Sequence, residues 1–179
     1  AKQPADGQTI YQMTGGLTVI SAVDKSVQFD LLRDFTFISM LTQYPFVFWV
    51  SSQSPFKTLG DMIDFARKNP GKISYGSSGI GSSTHLFGEM FKARAGIDIT
   101  HVPYRGWADC MAALSTGEVD IMFDNASTSI PKIKLGNIRG LAMCGPSRHR
   151  DLPDVATLTE LGVKDADVIS WFGLIMPAG

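Results

Sequence analysis

The sequence predicts an α/β fold built on a mainly parallel sheet with flanking helices. From residue 72 to 143, short β-rich runs alternate with runs whose apolar residues recur at three- and four-residue spacing. Gly96, Gly117 and Gly136 stand where the helical runs should stop. Strands separated by helices need crossover connections, and these lay the strands parallel. With 44% hydrophobic and 18% charged residues the composition is globular, and 179 residues suffice for one domain or two small lobes.

The elements follow in order. Residues 9–13 form a short strand candidate ended by Thr14, Gly15 and Gly16. Two β-branched and aromatic stretches, 34–41 and 45–51, read as separate strands, the second buried because it carries Phe46, Phe48 and Trp49. Leu59, Met62, Ile63 and Ala66 mark a helix over 54–69, with Pro55 near its start and Asn69-Pro70-Gly71 at its end. Then come a strand at 72–75, a helix at 82–95, a strand at 97–102, a helix at 107–116, a strand at 119–123, a helix at 128–135 and a strand at 138–143.

In such sheets, ligands bind at the carboxyl ends of the strands. The turns after Tyr75, Val102 and Phe123 should therefore share one rim. The first, within YGSSGIGSSTH (75–85), supplies glycines, hydroxyls and the start of a helix. The first backbone N–H groups of a helix lack intrahelical partners and carry partial positive charge, which suits a carboxylate or phosphate. The spacing is neither a nucleotide P-loop, since no lysine ends it, nor the G-x-G-x-x-G fingerprint. The turn is thus either an anion seat or a plain capped strand-to-helix connection. The other two turns add Tyr104, Arg105, Asp124 and Asn125.

Several functions are disfavoured. A net charge of -1, from 16 basic and 17 acidic residues, argues against nucleic-acid binding through a broad basic surface. No apolar run is long enough to span a bilayer, and the polar opening AKQPADGQ carries no signal peptide. His85, His101 and His149 share no metal-ligand spacing, so no zinc site and no cofactor is expected. His85 is read as a structural residue able to pair with Glu89, His101 as serving its strand, and His149 as solvated. Cys110 and Cys144 are read as two buried or half-buried thiols, with a disulfide between them as the lesser alternative. The sequon Asn125-Ala126-Ser127 is treated as coincidence.

Three separated segments in order, YGSSGIGSSTH, HVPYRG (101–106) and DIMFDN (120–125), resemble the Bug/TctC-type extracytoplasmic solute-binding proteins of tripartite tricarboxylate transporters. Asp6-Gly7, DLLRDFTFISML, IKLGNIRGLAM, LPDVATLTELGV and SWFGLIMPAG extend the likeness along nearly the whole chain.

The resemblance implies a periplasmic, non-enzymatic protein of the type II, Venus-flytrap class, in which two lobes close on a small carboxylate for membrane permease subunits. It implies a partial first lobe at 1–49, a second lobe at 50–143 and a return segment of the first at 144–179. It also implies ligand contacts at Ser77, Ser78, Gly79, Ser82, Ser83, Tyr104 and Asp124, and at Thr14 and Gly15. The family pattern begins upstream, with a strand and a Pro-Phe-x-x-Gly-Gly loop absent here, and continues past residues 177–179. The chain is therefore expected to be a fragment with an incomplete first lobe, whose exposed edge would favour a homodimer. Trp107 stands where the family more often has a small residue.

Two rival classes remain: a hydrolase of a carboxylate or ester, and a non-binding fragment that self-associates. The nucleophile elbow G-x-S-x-G is not matched, because Ile80 stands where its last glycine is needed.

Overall fold

The computed structural model describes residues 3–178; Ala1, Lys2 and Gly179, the outermost residues of the expected lobe segments, lie outside them. The chain begins with strand β1 (Tyr11–Thr14), helix α1 (Gly15–Val23), one-turn helix α2 (Leu31–Asp34) and strand β2 (Phe35–Ser51). It continues with α3 (Leu59–Lys68), β3 (Ser74–Ser77), α4 (Ser83–Ala95), β4 (Thr100–Pro103), α5 (Trp107–Thr116) and β5 (Ile121–Asn125). The last elements are α6 (Ala126–Lys134), β6 (Ile138–Met143) and β7 (Ile169–Pro177).

The residues divide into two compact units. One comprises residues 3–44, Gly81–Ser83 and 170–178; the other comprises Pro45–Ile80 and Thr84–Ile169. Residues 45–49 and 144–169, expected with the first lobe, lie in the second unit.

In the first unit, β1 and β7 pair antiparallel, with Tyr11 opposite Ile175 and Thr14 opposite Phe172. Met13, Leu31, Phe35 and Ile175 form a small core. β1 ends at Thr14, at the expected stop, and Gly15-Gly16 then open α1, which was not expected, with Thr14 at its N-cap. Two glycines and the β-branched Thr18, Val19 and Ile20 argue against a helix by propensity; packing of Leu17 on the small core favours one. Asp30 caps α2 by accepting from the Leu32 and Arg33 N–H groups, while Asp34 accepts from the Asp30 N–H at 2.9 Å.

The second unit holds the larger core. β3, β4 and β5 run parallel, and β2 pairs antiparallel with both β5 and β6. The sheet is therefore mixed, with one antiparallel strand set between parallel neighbours. The two strands expected at 34–41 and 45–51 are one. Pro45 has no N–H to give a ladder, and it sits just before Phe46, the first residue of β2 paired with β5, opposite Asn125.

Helix α3 begins five residues later than expected. The Thr58 hydroxyl accepts from the Asp61 N–H and the Asp61 carboxylate accepts from the Thr58 N–H, a capping box that overrides Pro55 as the start signal. Helix α5 stops at Gly117, whose φ of 78° is the left-handed C′ conformation. One face of the sheet packs Phe48, Phe87, Phe91 and Phe123 edge to face or tilted, with ring centroids 4.6–6.1 Å apart for the contacts of Phe123. The other packs Val47, Trp49, Cys110, Leu114, Met122 and Ile130 against α5 and α6.

Candidate functional site

The order β4, β3, β5 decides where the turns go. All three strands point the same way, with Ser77 opposite Pro103 and Gly76 opposite Met122. The turns that begin after Ser77, Pro103 and Asn125 therefore leave from one edge of the sheet. The first two touch: the Tyr104 N–H donates to the Ser77 carbonyl at 3.0 Å, and a Cβ on Gly79 would stand 3.5 Å from the Tyr104 carbonyl. Gly79 has φ of 126°, a conformation that disfavours any side chain.

The side chains at that edge diverge, because successive strand residues face opposite sides. Tyr75 and Ser77 share the face covered by α4, whereas Gly76, Met122 and Asp124 share the face covered by α5 and α6. Ser77 is 1% exposed. Its hydroxyl lies 2.7 Å from His101 Nε2 and bonds both the N–H and the carbonyl of Gly79 at 3.2 Å. The Ser78 side chain is exposed, and its N–H donates to Thr84 Oγ1 at 3.2 Å.

Tyr104 does not point its hydroxyl at the edge. It donates to Glu118 Oε1 at 2.9 Å, and burial together with that carboxylate pushes its pKa up to about 12. Asp124 is buried. Its oxygens accept from the Asn125 N–H and the Thr128 hydroxyl, both at 2.7 Å. Burial raises its pKa; Thr128, the Asn125 N–H, Trp107 and Lys132 oppose the rise. The Trp107 indole N–H favours the ionised carboxylate by proximity, although it closes no hydrogen bond of ordinary geometry. Lys132 Nζ lies 4.3 Å over the Trp107 ring. Asn125, the sequon residue, caps α6 by accepting from the Ser127 N–H at 2.9 Å.

The first unit gathers the remaining candidates. A Cβ on Gly16 would stand 3.2 Å from both the N and the Oγ of Ser83, so the starts of α1 and α4 are adjacent there. The Thr14 side chain makes no cap hydrogen bond, and a Cβ on Gly15 would stand 3.3 Å from Trp171 Nε1. Gly16, which follows Thr14 and Gly15 in the chain, thus lies against Ser83, with Ser82 next to the latter.

The sequence reading missed the partner of Ser77. In the parallel register Tyr75 lies opposite His101, and alternation then places Ser77 on the imidazole side; that register was the signal. A serine beside an imidazole also suggests a nucleophile and its base. Ser77 is too deeply buried for a substrate carbonyl to reach, so this pair does not carry the hydrolase reading. Among the described residues, no three His, Cys, Asp or Glu side chains gather as a metal site, and no helix is long and apolar enough to cross a membrane.

Comparison with known families decides the lineage. The model described as the tripartite tricarboxylate transporter family receptor, TctC, matches residues 1–179. The chain belongs to the TctC family. Among relatives of this TctC chain, a protein from the tcbD-tcbE intergenic region of Pseudomonas sp. (strain P51) is 35% identical over 180 residues, covering 100% of this chain and 54% of that protein. A solved structure of R. palustris Rpa4515 with adipate superposes with a TM-score of 0.93 at 35% identity, over 99% of this chain and 60% of that one. MatC (Rpa3494) from Rhodopseudomonas palustris with bound malate superposes with a TM-score of 0.90 at 25% identity, with the same coverage. The chain thus spans a little over half the length of the relatives it matches, and its architecture is that of periplasmic binding proteins with one lobe incomplete.

Proposed function

We propose that this chain captures a small carboxylate in the periplasm and presents it to the membrane permease subunits of a tripartite tricarboxylate transporter, with no chemistry performed on the ligand. The observation that carries this reading is the family match along the whole chain. The solved relatives that hold adipate and malate support a dicarboxylate as the ligand class. The proposed contacts are Ser77 at the end of β3 with Ser78 and Gly79 after it, Tyr104 after β4, Asp124 near the end of β5, and Thr14, Gly15, Ser82 and Ser83 at the starts of α1 and α4. Because Ser77, Tyr104 and Asp124 spend their side-chain polar atoms on His101 and Gly79, on Glu118 and on Thr128, these positions contribute through the backbone of the turns beside them in this proposal.

The test is a thermal-shift screen of mono-, di- and tricarboxylates and amino acids, followed by calorimetry on the best binder. A ligand that binds only the folded state raises the melting temperature in proportion to the logarithm of its concentration over Kd. Removing one hydrogen bond to a charged ligand costs about 1.5–3 kcal/mol, so Ser78→Ala and Ser83→Ala should each weaken binding roughly tenfold to a hundredfold. Unchanged affinity in both variants would reject the assigned contacts.

The first unit also exposes Phe37, Ile38, Met40 and Leu41 on β2, beside an apolar groove of about 410 Å³ lined by Trp171 and Leu174. This stretch carries no charge or proline to blunt it. We propose that a second copy of the chain pairs there. Light scattering during size exclusion should then report a dimer, and Met40→Lys should return it to a monomer; a monomer at all concentrations ends the idea.

A further inference from the structure

Behind the turn after β3 lies a stack of three rings. The His101 imidazole lies between Tyr75, at 4.8 Å and 25°, and His85, at 4.1 Å and 21°. Tyr75 is fully buried, and its hydroxyl donates to Glu89 Oε1 at 2.6 Å. Glu89 is held in turn by Lys92 at 3.3 Å. A Cβ on Gly88 would overlap the Tyr75 ring, so α4 approaches β3 this closely because residue 88 is glycine. The stack therefore delivers one imidazole nitrogen to one place, the Ser77 hydroxyl. That hydroxyl in turn accepts the Gly79 N–H at the head of the turn. A hydroxyl has a single proton and two lone pairs, and its contact with His101 is the shortest of its three.

We infer that His101 is a positioning residue: its Nε2 fixes Ser77, and Ser77 fixes Gly79, so that the turn after β3 is held in one shape at the edge where a ligand is proposed to bind. The ligand half of this inference rests on the carboxylate reading above; the mechanical half does not. The groups that face the imidazole are Tyr75 and Ser77 from β3 and His85, Glu89 and Lys92 from α4, with Asp98 at 4.0 Å from Lys92.

Two substitutions separate the hydrogen bond from the stack. His101→Phe keeps an aromatic ring between Tyr75 and His85 but offers nothing to Ser77. His101→Gln loses the ring but can place an amide group near the former Nε2. Both are measured in the intact 179-residue chain by hydrogen exchange of the Gly79 N–H, without ligand, and by calorimetry with adipate and with malate as probes. One hydrogen bond shifts an equilibrium by about tenfold. Gly79 protection and probe affinity should therefore each fall about tenfold in His101→Phe and stay within about threefold of wild type in His101→Gln. If His101→Phe fails to fold, Ser77→Ala, which leaves the stack intact, must lower Gly79 protection by the same factor. Unchanged Gly79 protection in either His101→Phe or Ser77→Ala overturns the inference, as does a His101→Gln variant no better than His101→Phe. Should wild type bind neither probe, the amide measurement alone decides the role of His101, and the carboxylate reading is what fails.

Discussion

Gly76→Ala tests how tightly β3 is packed on α5. A methyl on Gly76 would overlap Cys110 Sγ; its next neighbours, Val119 Cγ2 at 3.4 Å and Tyr104 Cε2 at 3.6 Å, are at ordinary contact distance. The conflict is thus with one atom. Cys110 is 1% exposed inside a helix, where few χ1 rotamers are open to it. Overpacking of this kind costs about 1–3 kcal/mol. At about 2 kcal/mol, a chain of this length should lose roughly 4–8 °C in Tm. Cys110→Ala deletes the obstructing atom and alone costs about 1 kcal/mol through the small void it leaves. The double variant refills that void, so it should recover most of the loss, with a coupling of about 1–2 kcal/mol. Urea unfolding followed by near-ultraviolet dichroism, under reducing conditions, gives each midpoint; an unchanged slope keeps the comparison valid. A Gly76→Ala midpoint equal to wild type, or a double variant as unstable as the sum of the singles, would refute the packing argument.

Three further outcomes are expected. Arg139 donates to the carbonyls of Ser52 and Phe56 at 3.0 Å and of Ser54 at 3.4 Å. Arg139→Met should lower stability by about 1.5–3 kcal/mol and expose the 52–56 loop to limited proteolysis; an undigested loop counts against the staple. Cys110 and Cys144 are buried free thiols; burial raises both pKa values, that of Cys110 to about 12. Neither should react with a thiol reagent at pH 8 until urea unfolds the chain, and stoichiometric labelling of the native protein would contradict this. Burial, and then the neighbouring His85, lower the His101 pKa below its ordinary 6.5, with Glu89 opposing. The folded state therefore binds that proton less readily than the unfolded one. Stability from this group is complete above about pH 6.5 and is lost as the pH falls through the lower folded value. The wild-type urea midpoint should drop more between pH 7.5 and 5 than that of His101→Gln; parallel curves would exclude the effect.

Local chemistry and tertiary context divided the account unevenly. Helix α5 and strand β6 carry the residues expected of them, because Gly117 and the alternating apolar runs act within a few neighbours. Helix α1 and strand β7 had no such local signature; the first starts on two glycines and the second pairs with β1, far away in sequence. The start of α3 was misplaced because a proline signal at residue 55 competed with a capping box at Thr58.

The residue order by itself determined that three turns would leave one border of a parallel sheet, since crossover handedness and strand direction follow from the strand-helix alternation. Tertiary structure alone decided which side chains serve that border. Ser77 meets His101 across 24 residues, Tyr104 reaches Glu118 across 14, and Asp124 is spent on Thr128 within its own turn. The physical reason is that the pleat fixes which face a residue takes, whereas the partner waiting there is set by register and helix packing, both of them non-local.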